Sequence, residues 1–267
     1  ENVDRVPDMD ATEKSRLKAE AKMIVAIYYS HMLRHFGALP IVDHAIDPED
    51  VNLPGRATLQ ATVDFIIGLL NDAINCPDFP WRISDNDLAN WDGRMTKAGA
   101  MALKARVLLF VASPLFNDNA PYCDGEASSS LMTWFGGYNK ERWKAAVEAA
   151  LDVIRMNRFS IYTRHVNNDG AEEPGWGFYA IFHNNDFYKI TDGADGTYAN
   201  GTYCEMLFET RPGGGNTREA LFGPPTCGGN GNGGYIYHDL VELFPMKDGK
   251  PIGTSSEYPY DPLNPAE

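Results

Sequence analysis

The chain has 267 residues, 43% of them hydrophobic and 22% charged, a globular composition with apolar material for one large or two modest domains. Its 23 Lys and Arg against 37 Asp and Glu leave a formal net charge of -14. That field repels nucleic acid phosphates and anionic lipid alike and leaves neutral ligands unaffected, so no nucleic acid partner is expected.

Residues 1–11 are polar and acidic, and Thr12 and Ser15 are suited to cap a first helix. The spacing predicts that this helix runs through Ala19 and stops before Gly37. Leu17, Met23, Ile24, Ile27, Tyr28, Met32 and Phe36 lie on its apolar side, and Lys18, Lys22, His31 and Arg34 face away. Gly37 is placed for a left-handed cap, and Pro40 keeps the helix from resuming. Pro48 and Pro54 punctuate a linker over 43–56.

Thr58 opens a second helix, with Val63, Ile66, Ile67, Leu70 and Ile74 on one side and Cys76-Pro77 at its end, expected to pair antiparallel with the first. Residues 78–93 read as a loop holding Trp81 and Trp91. Thr96 caps a third helix in which Ala98, Ala102, Ala105 and Ala112 allow close approach, Met101, Leu108 and Leu109 supply bulk, and Pro114 ends the run. After a Ser- and Gly-rich stretch over 117–139, Asn139 caps a fourth helix with Trp143, Val147, Ala150, Leu151 and Ile154 at helical spacing. Beyond Asn157 only 159–162 and 203–210 read as short strands, and the rest to Gly234 is glycine, asparagine and aromatic rings.

Several segments together resemble one family. They are Glu20-Ala21 through Tyr28-Tyr29 to Phe36-Gly37-Ala38-Leu39-Pro40; Gly93-Arg94-Met95-Thr96-Lys97 through Ala105-Arg106 with the exit Ala112-Ser113-Pro114-Leu115-Phe116-Asn117; Trp143-Lys144-Ala145-Ala146 through Ile154; and Leu240-Val241-Glu242-Leu243-Phe244 with Lys247-Asp248-Gly249. In this order they resemble the SusD/RagB family, glycan-capturing lipoproteins of the Bacteroidetes outer membrane. Val25 departs from the pattern, standing where the family commonly has arginine.

The resemblance implies a mainly α fold of tetratricopeptide-like stacked helical hairpins with a long irregular, loop-rich region. It divides the chain into a hairpin scaffold over 1–157 and a SusD-like loop-rich region over 158–267, part of a larger domain continuing beyond this chain. The strict tetratricopeptide signature is absent, and the observed periodicity is compatible with stacked hairpins. The resemblance further implies a non-enzymatic protein on the extracellular face of the outer membrane. It would be held there by an N-terminal lipid anchor encoded upstream of Glu1, and would pass captured glycan to a SusC-like TonB-dependent transporter.

The stretch 175–237 mixes aromatic rings with Asn, Asp, Glu and Arg, which suits carbohydrate. A pyranose lays its apolar C–H face on a ring, and its hydroxyl rim needs planar amides, carboxylates and guanidinium groups. Trp176, Tyr198, Glu209, Arg211 and Tyr235 are the candidate ligand-binding residues. Trp81, Trp91 and Trp134 form a second set, equally suited to covering helix ends.

His31 and His35 share a helix side at metal-ligand spacing, but Met32 stands where a zinc protease carries glutamate, so no metal site is expected. Gly229-Asn230-Gly231-Asn232-Gly233-Gly234 fits a nucleotide-loop pattern without a strand–helix context and reads as a surface loop, and no cofactor is expected. Cys76, Cys123, Cys204 and Cys227 lack zinc spacing, and sequence alone leaves free thiols and disulfides both open. No catalytic constellation stands out. The alternatives are a glycoside hydrolase on a helical scaffold, with Glu205 or Glu209 opposite Asp186, and a helical-repeat scaffold for protein or peptide partners.

Overall fold

The computed structural model describes residues 2–46, 49, 54–83, 91, 93–161, 203–204, 207, 243–251 and 254–255. The chain forms two compact units, Glu1–Arg211 and Pro212–Glu267. In the first, the long helices are α1 (Ala11–Phe36), α2 (Leu59–Asn75), α3 (Lys97–Ala112) and α5 (Lys140–Arg155). A single-turn α4 (Glu126–Ser129) sits between α3 and α5, and a 3-10 turn, Val3–Arg5, precedes α1.

The helix starts follow from their capping side chains. Thr58, Thr96 and Asn139 accept from the amides of Ala61 (3.2 Å), Gly99 (3.1 Å) and Glu141 (2.9 Å), as expected. The first helix differs from expectation. Its cap is Asp10, which accepts from Glu13 N at 2.8 Å. A carboxylate there satisfies an orphan amide and also complements the positive end of the helix dipole, so it prevails over the hydroxyls of Thr12 and Ser15.

α1 packs on α2, α2 on α3 and α3 on α5. Along the first pair Tyr29 meets Phe65, Lys22 meets Asp72 and Ser15 meets Cys76, so α2 runs back along α1. Asn117 joins the end of α3 to the start of α5, its Nδ2 donating to Ala112 O (3.3 Å) and Asn139 O (3.1 Å) and its Oδ1 accepting from Asn139 N (2.8 Å). The architecture is mainly α and tetratricopeptide-like, as the resemblance implied.

The buried face of α1 is only partly the one the apolar spacing suggested: Met23 is buried, and Leu17 and Ile27 are half-buried. Ala19, Glu20, Met23, Ala26, Tyr29, Ser30 and Leu33 are buried, whereas Tyr28 and Phe36 are 66% and 65% exposed, and Ile24, Val25 and Met32 also lie at the surface. Ala19, Ala26 and Ser30 are small enough to let neighbouring helices approach closely, and a pattern weighted toward bulky side chains overlooks them. In α5 the buried residues are Ala146 and Ala149, while Trp143, Val147 and Ile154 face outward. The α2 expectation holds, with Val63, Ile66 and Leu70 buried.

After α5, β1 (Phe159–Ser160) pairs in parallel with β2 (Tyr203–Cys204), a shorter ladder than the sequence suggested. In the second unit Lys247-Asp248-Gly249 is a tight turn. Met246 N donates to Lys250 O and Gly249 N to Met246 O, both at 2.8 Å, and Gly249 takes φ 75°.

Candidate functional site

The helix ends are where this scaffold holds its loops. At the exit of α1, Gly37 adopts φ 73° and its amide donates to Leu33 O at 3.0 Å. The Tyr29 hydroxyl donates to Pro40 O (3.0 Å) and accepts from Val42 N (2.9 Å), while its ring packs edge-on against Phe65 with centroids 5.0 Å apart. Leu39 N donates to Thr62 Oγ1 at 3.0 Å, and Arg56 donates to Ala38 O at 2.7 Å and to Phe36 O. The Tyr-Tyr pair thus divides its work: Tyr29 clamps the Leu-Pro turn and Tyr28 faces solvent.

In the middle of α1, the buried Glu20 accepts from Arg94 through both carboxylate oxygens and from Met95 N at 3.2 Å. The Trp91 ring carries the guanidinium groups of Arg94 and Arg16, 4.0 and 3.6 Å from its centroid. Trp81 similarly carries Lys97 at 5.4 Å and Arg158 at 4.7 Å. Trp134 donates its indole N–H to Ser128 O at 3.0 Å. Trp81, Trp91 and Trp134 therefore make intramolecular contacts at helix ends and connections. Trp176, Tyr198, Glu209, Arg211 and Tyr235 lie outside the described residues, as do Asp186 and Glu205.

Among the described residues, grooves open between the helices. One, of about 430 Å³, lies against α2, α3 and α5, over Val63, Ile67, Leu108, Val111 and Phe135. Its polar rim is internally engaged. Gln60 donates to Asp64 at 2.8 Å, Lys104 to Asn71 at 2.8 Å, and Arg142 to Asn117 Oδ1 at 2.9 Å and Gly137 O at 3.1 Å. Arg142 also lies 4.0 Å from the Phe135 ring centroid, and its burial lowers its pKa. The second groove, of about 350 Å³, lies between α1 and α3.

Among the described residues no group of three or more His, Cys, Asp or Glu is placed to hold a metal ion, and no helix is long and apolar enough to cross a membrane. Cys76 and Cys123 are free thiols. Cys76 Sγ lies 3.3 Å from Ser15 Oγ, and Cys123 is exposed.

No protein-family model and no curated protein matches the chain. Solved structures do. A SusD-like protein from Bacteroides fragilis superposes with a TM-score of 0.59 at 19% identity, covering 95% of this chain and 40% of its own. A SusD-like carbohydrate binding protein from the same species gives 0.56 at 18% identity, covering 97% of this chain and 40% of its own. A SusD superfamily protein from Parabacteroides distasonis is similar over 61% of this chain and 29% of its own, with a TM-score of 0.43 and 23% identity. The chain thus spans 40% or less of the length of these relatives.

Proposed function

We propose that this chain, SusD-like in its fold, belongs to a cell-surface protein that captures an oligosaccharide or polysaccharide and delivers it to a SusC-like TonB-dependent transporter. In this reading an N-terminal lipid anchor tethers the protein to the outer face of the outer membrane. The observation that carries the reading is the match along 95% and 97% of the chain to two SusD-like structures, one of them described as carbohydrate binding. The family-like sequence segments add to it, because Tyr29, Arg94 and Asn117 each sit at a joint that sets the helix stack.

Capture of this kind needs no acid or base. Rings stack on the C–H faces of successive sugars, and carboxylate, amide and guanidinium groups take the hydroxyls, each contact modest and the sum shared along an oligosaccharide. Trp176, Tyr198, Glu209, Arg211 and Tyr235 are proposed for these roles. The test is native electrophoresis through gels containing a panel of neutral and acidic polysaccharides. Retardation by one of them supports glycan capture and names the substrate class. Free migration through all of them, by protein whose circular dichroism remains helical, overturns the reading.

A further inference from the structure

The groove between α1 and α3 departs from the charge of the rest of the chain. Its floor is aliphatic, built from Ile27, Leu33, Leu103 and Val107. Phe110 closes one side, its ring already engaged edge-on with Phe116 at 5.2 Å. Among the described residues its rim carries His31, Arg34 and Arg106 and no carboxylate, although acidic side chains outnumber basic ones 37 to 23 in the whole chain. All three basic groups are exposed, and among the described residues none of them makes an ion pair or a hydrogen bond. Leu109, at the lip, is 56% exposed.

Exposed Arg34 and Arg106 over an apolar floor are complementary to a ligand that brings carboxylates around an apolar ridge. A sugar matches it poorly, because among the described residues the floor is aliphatic and the lining holds no planar amide. An amphipathic helix matches it well. The groove runs along two turns of α1 (27–34) and two turns of α3 (103–110), the length over which a docked helix places anchors at i, i+3, i+4 and i+7. Attraction between the basic rim and an acidic partner orients the encounter and disfavours basic competitors, in a chain whose overall charge repels most acidic proteins.

We propose that the α1–α3 groove is a docking site for an acidic amphipathic helix of a partner protein, with its apolar side chains over Leu103 and Val107 and its carboxylates at Arg34 and Arg106. This inference rests on the groove alone and stands or falls independently of glycan capture.

The probe is a fluorescein-labelled amphipathic peptide of about 18 residues, leucine along one face and glutamate beside it, titrated by fluorescence anisotropy. Its counterpart carries lysine in place of glutamate. The expected result is saturable binding of the acidic peptide, at least about tenfold tighter than the lysine peptide and weakened several-fold when salt is raised. The doubly reversed variant Arg34→Glu/Arg106→Glu, altered only at exposed positions, is expected to lose at least about tenfold in affinity with its thermal midpoint unchanged. Leu109→Asp is expected to weaken binding as well. Absence of saturable binding, equal binding of the two peptides, or full affinity in the charge-reversed variant would overturn the proposal. Formation of a dimer that both peptides fail to compete would assign the groove to a second copy of the chain and overturn it equally.

Discussion

Arg94 Nε donates to Glu20 Oε1 at 2.8 Å and its Nη2 donates to Oε2, a two-pronged pair between positions 74 apart in the chain. The Glu20 side chain is 8% exposed and the Arg94 side chain 34%. The pair ties the middle of α1 to the residues leading into α3, and Met95 N adds a third hydrogen bond. Removing one partner strands the other, so Glu20→Ala is expected to lower the unfolding free energy by about 3 kcal/mol. Replacing both by leucine is expected to cost less than the two single losses summed. Urea unfolding of the parent, Glu20→Leu, Arg94→Leu and the double leucine variant measures this, and strictly additive losses would contradict it.

Thr62 is fully buried, and its Oγ1 accepts from Leu39 N and donates to Thr58 O, each at 3.0 Å. Thr62→Val keeps the shape and leaves the Leu39 amide without an acceptor. A loss of about 2 kcal/mol is expected, with Thr62→Ser recovering most of it. Hydrogen exchange at Leu39 localises the effect, since its amide is expected to exchange faster in the valine variant alone.

Gly37 combines φ 73° with a tight site, where an added Cβ would lie 3.1 Å from Met132 O and 3.4 Å from Arg56 Nη2. Gly37→Ala is expected to destabilise by about 2 kcal/mol, through backbone strain and displacement of the Arg56 clamp. An alanine variant that matched the parent in chemical denaturation would show that the exit of α1 is less constrained than the geometry requires.

Much of the helical scaffold was legible because its signals are local. Thr58, Thr96 and Asn139 read as caps from their own side-chain oxygens, and Gly37 with Pro40 read as a stop. What sequence missed is non-local. Glu20 on a buried face looks out of place until Arg94, far along the chain, supplies its partner, and Ala26 and Ser30 rank low on any scale that weights size. The one available signal was a carboxylate at i−3 from Met23 on an otherwise apolar side. Trp176, Tyr198, Glu209, Arg211 and Tyr235 rest on composition alone, without periodicity or a motif to place them, and they lie outside the described residues.

The 3-10 turn is tied to α1 through Asp4, whose two oxygens lie 2.7 and 2.8 Å from Lys18 Nζ. The hydrogen bond from Lys18, aided by the charges of Lys18 and Lys14, holds the exposed Asp4 carboxyl below the usual aspartate value. With the folded pKa the lower of the two, the tie is fully present above the unfolded value and is lost as pH falls through the folded one. Acidification below the usual aspartate range is therefore expected to weaken the tie. Carbon NMR titration checks this: the Asp4 midpoint is expected to rise in Lys18→Met, and an unchanged midpoint would contradict the assignment.

The most direct test of glycan capture is calorimetric titration of the protein, and of a variant with Trp176, Tyr198 and Tyr235 all changed to alanine, with oligosaccharides from the polysaccharide that retards it in gels. Loss of stacking at about 1 kcal/mol or more per ring predicts at least a hundredfold weaker binding by a variant that remains helical. Equal affinity in the two proteins would contradict the placement of the site in the 175–237 stretch, and absence of measurable binding by the parent protein would contradict the account as a whole.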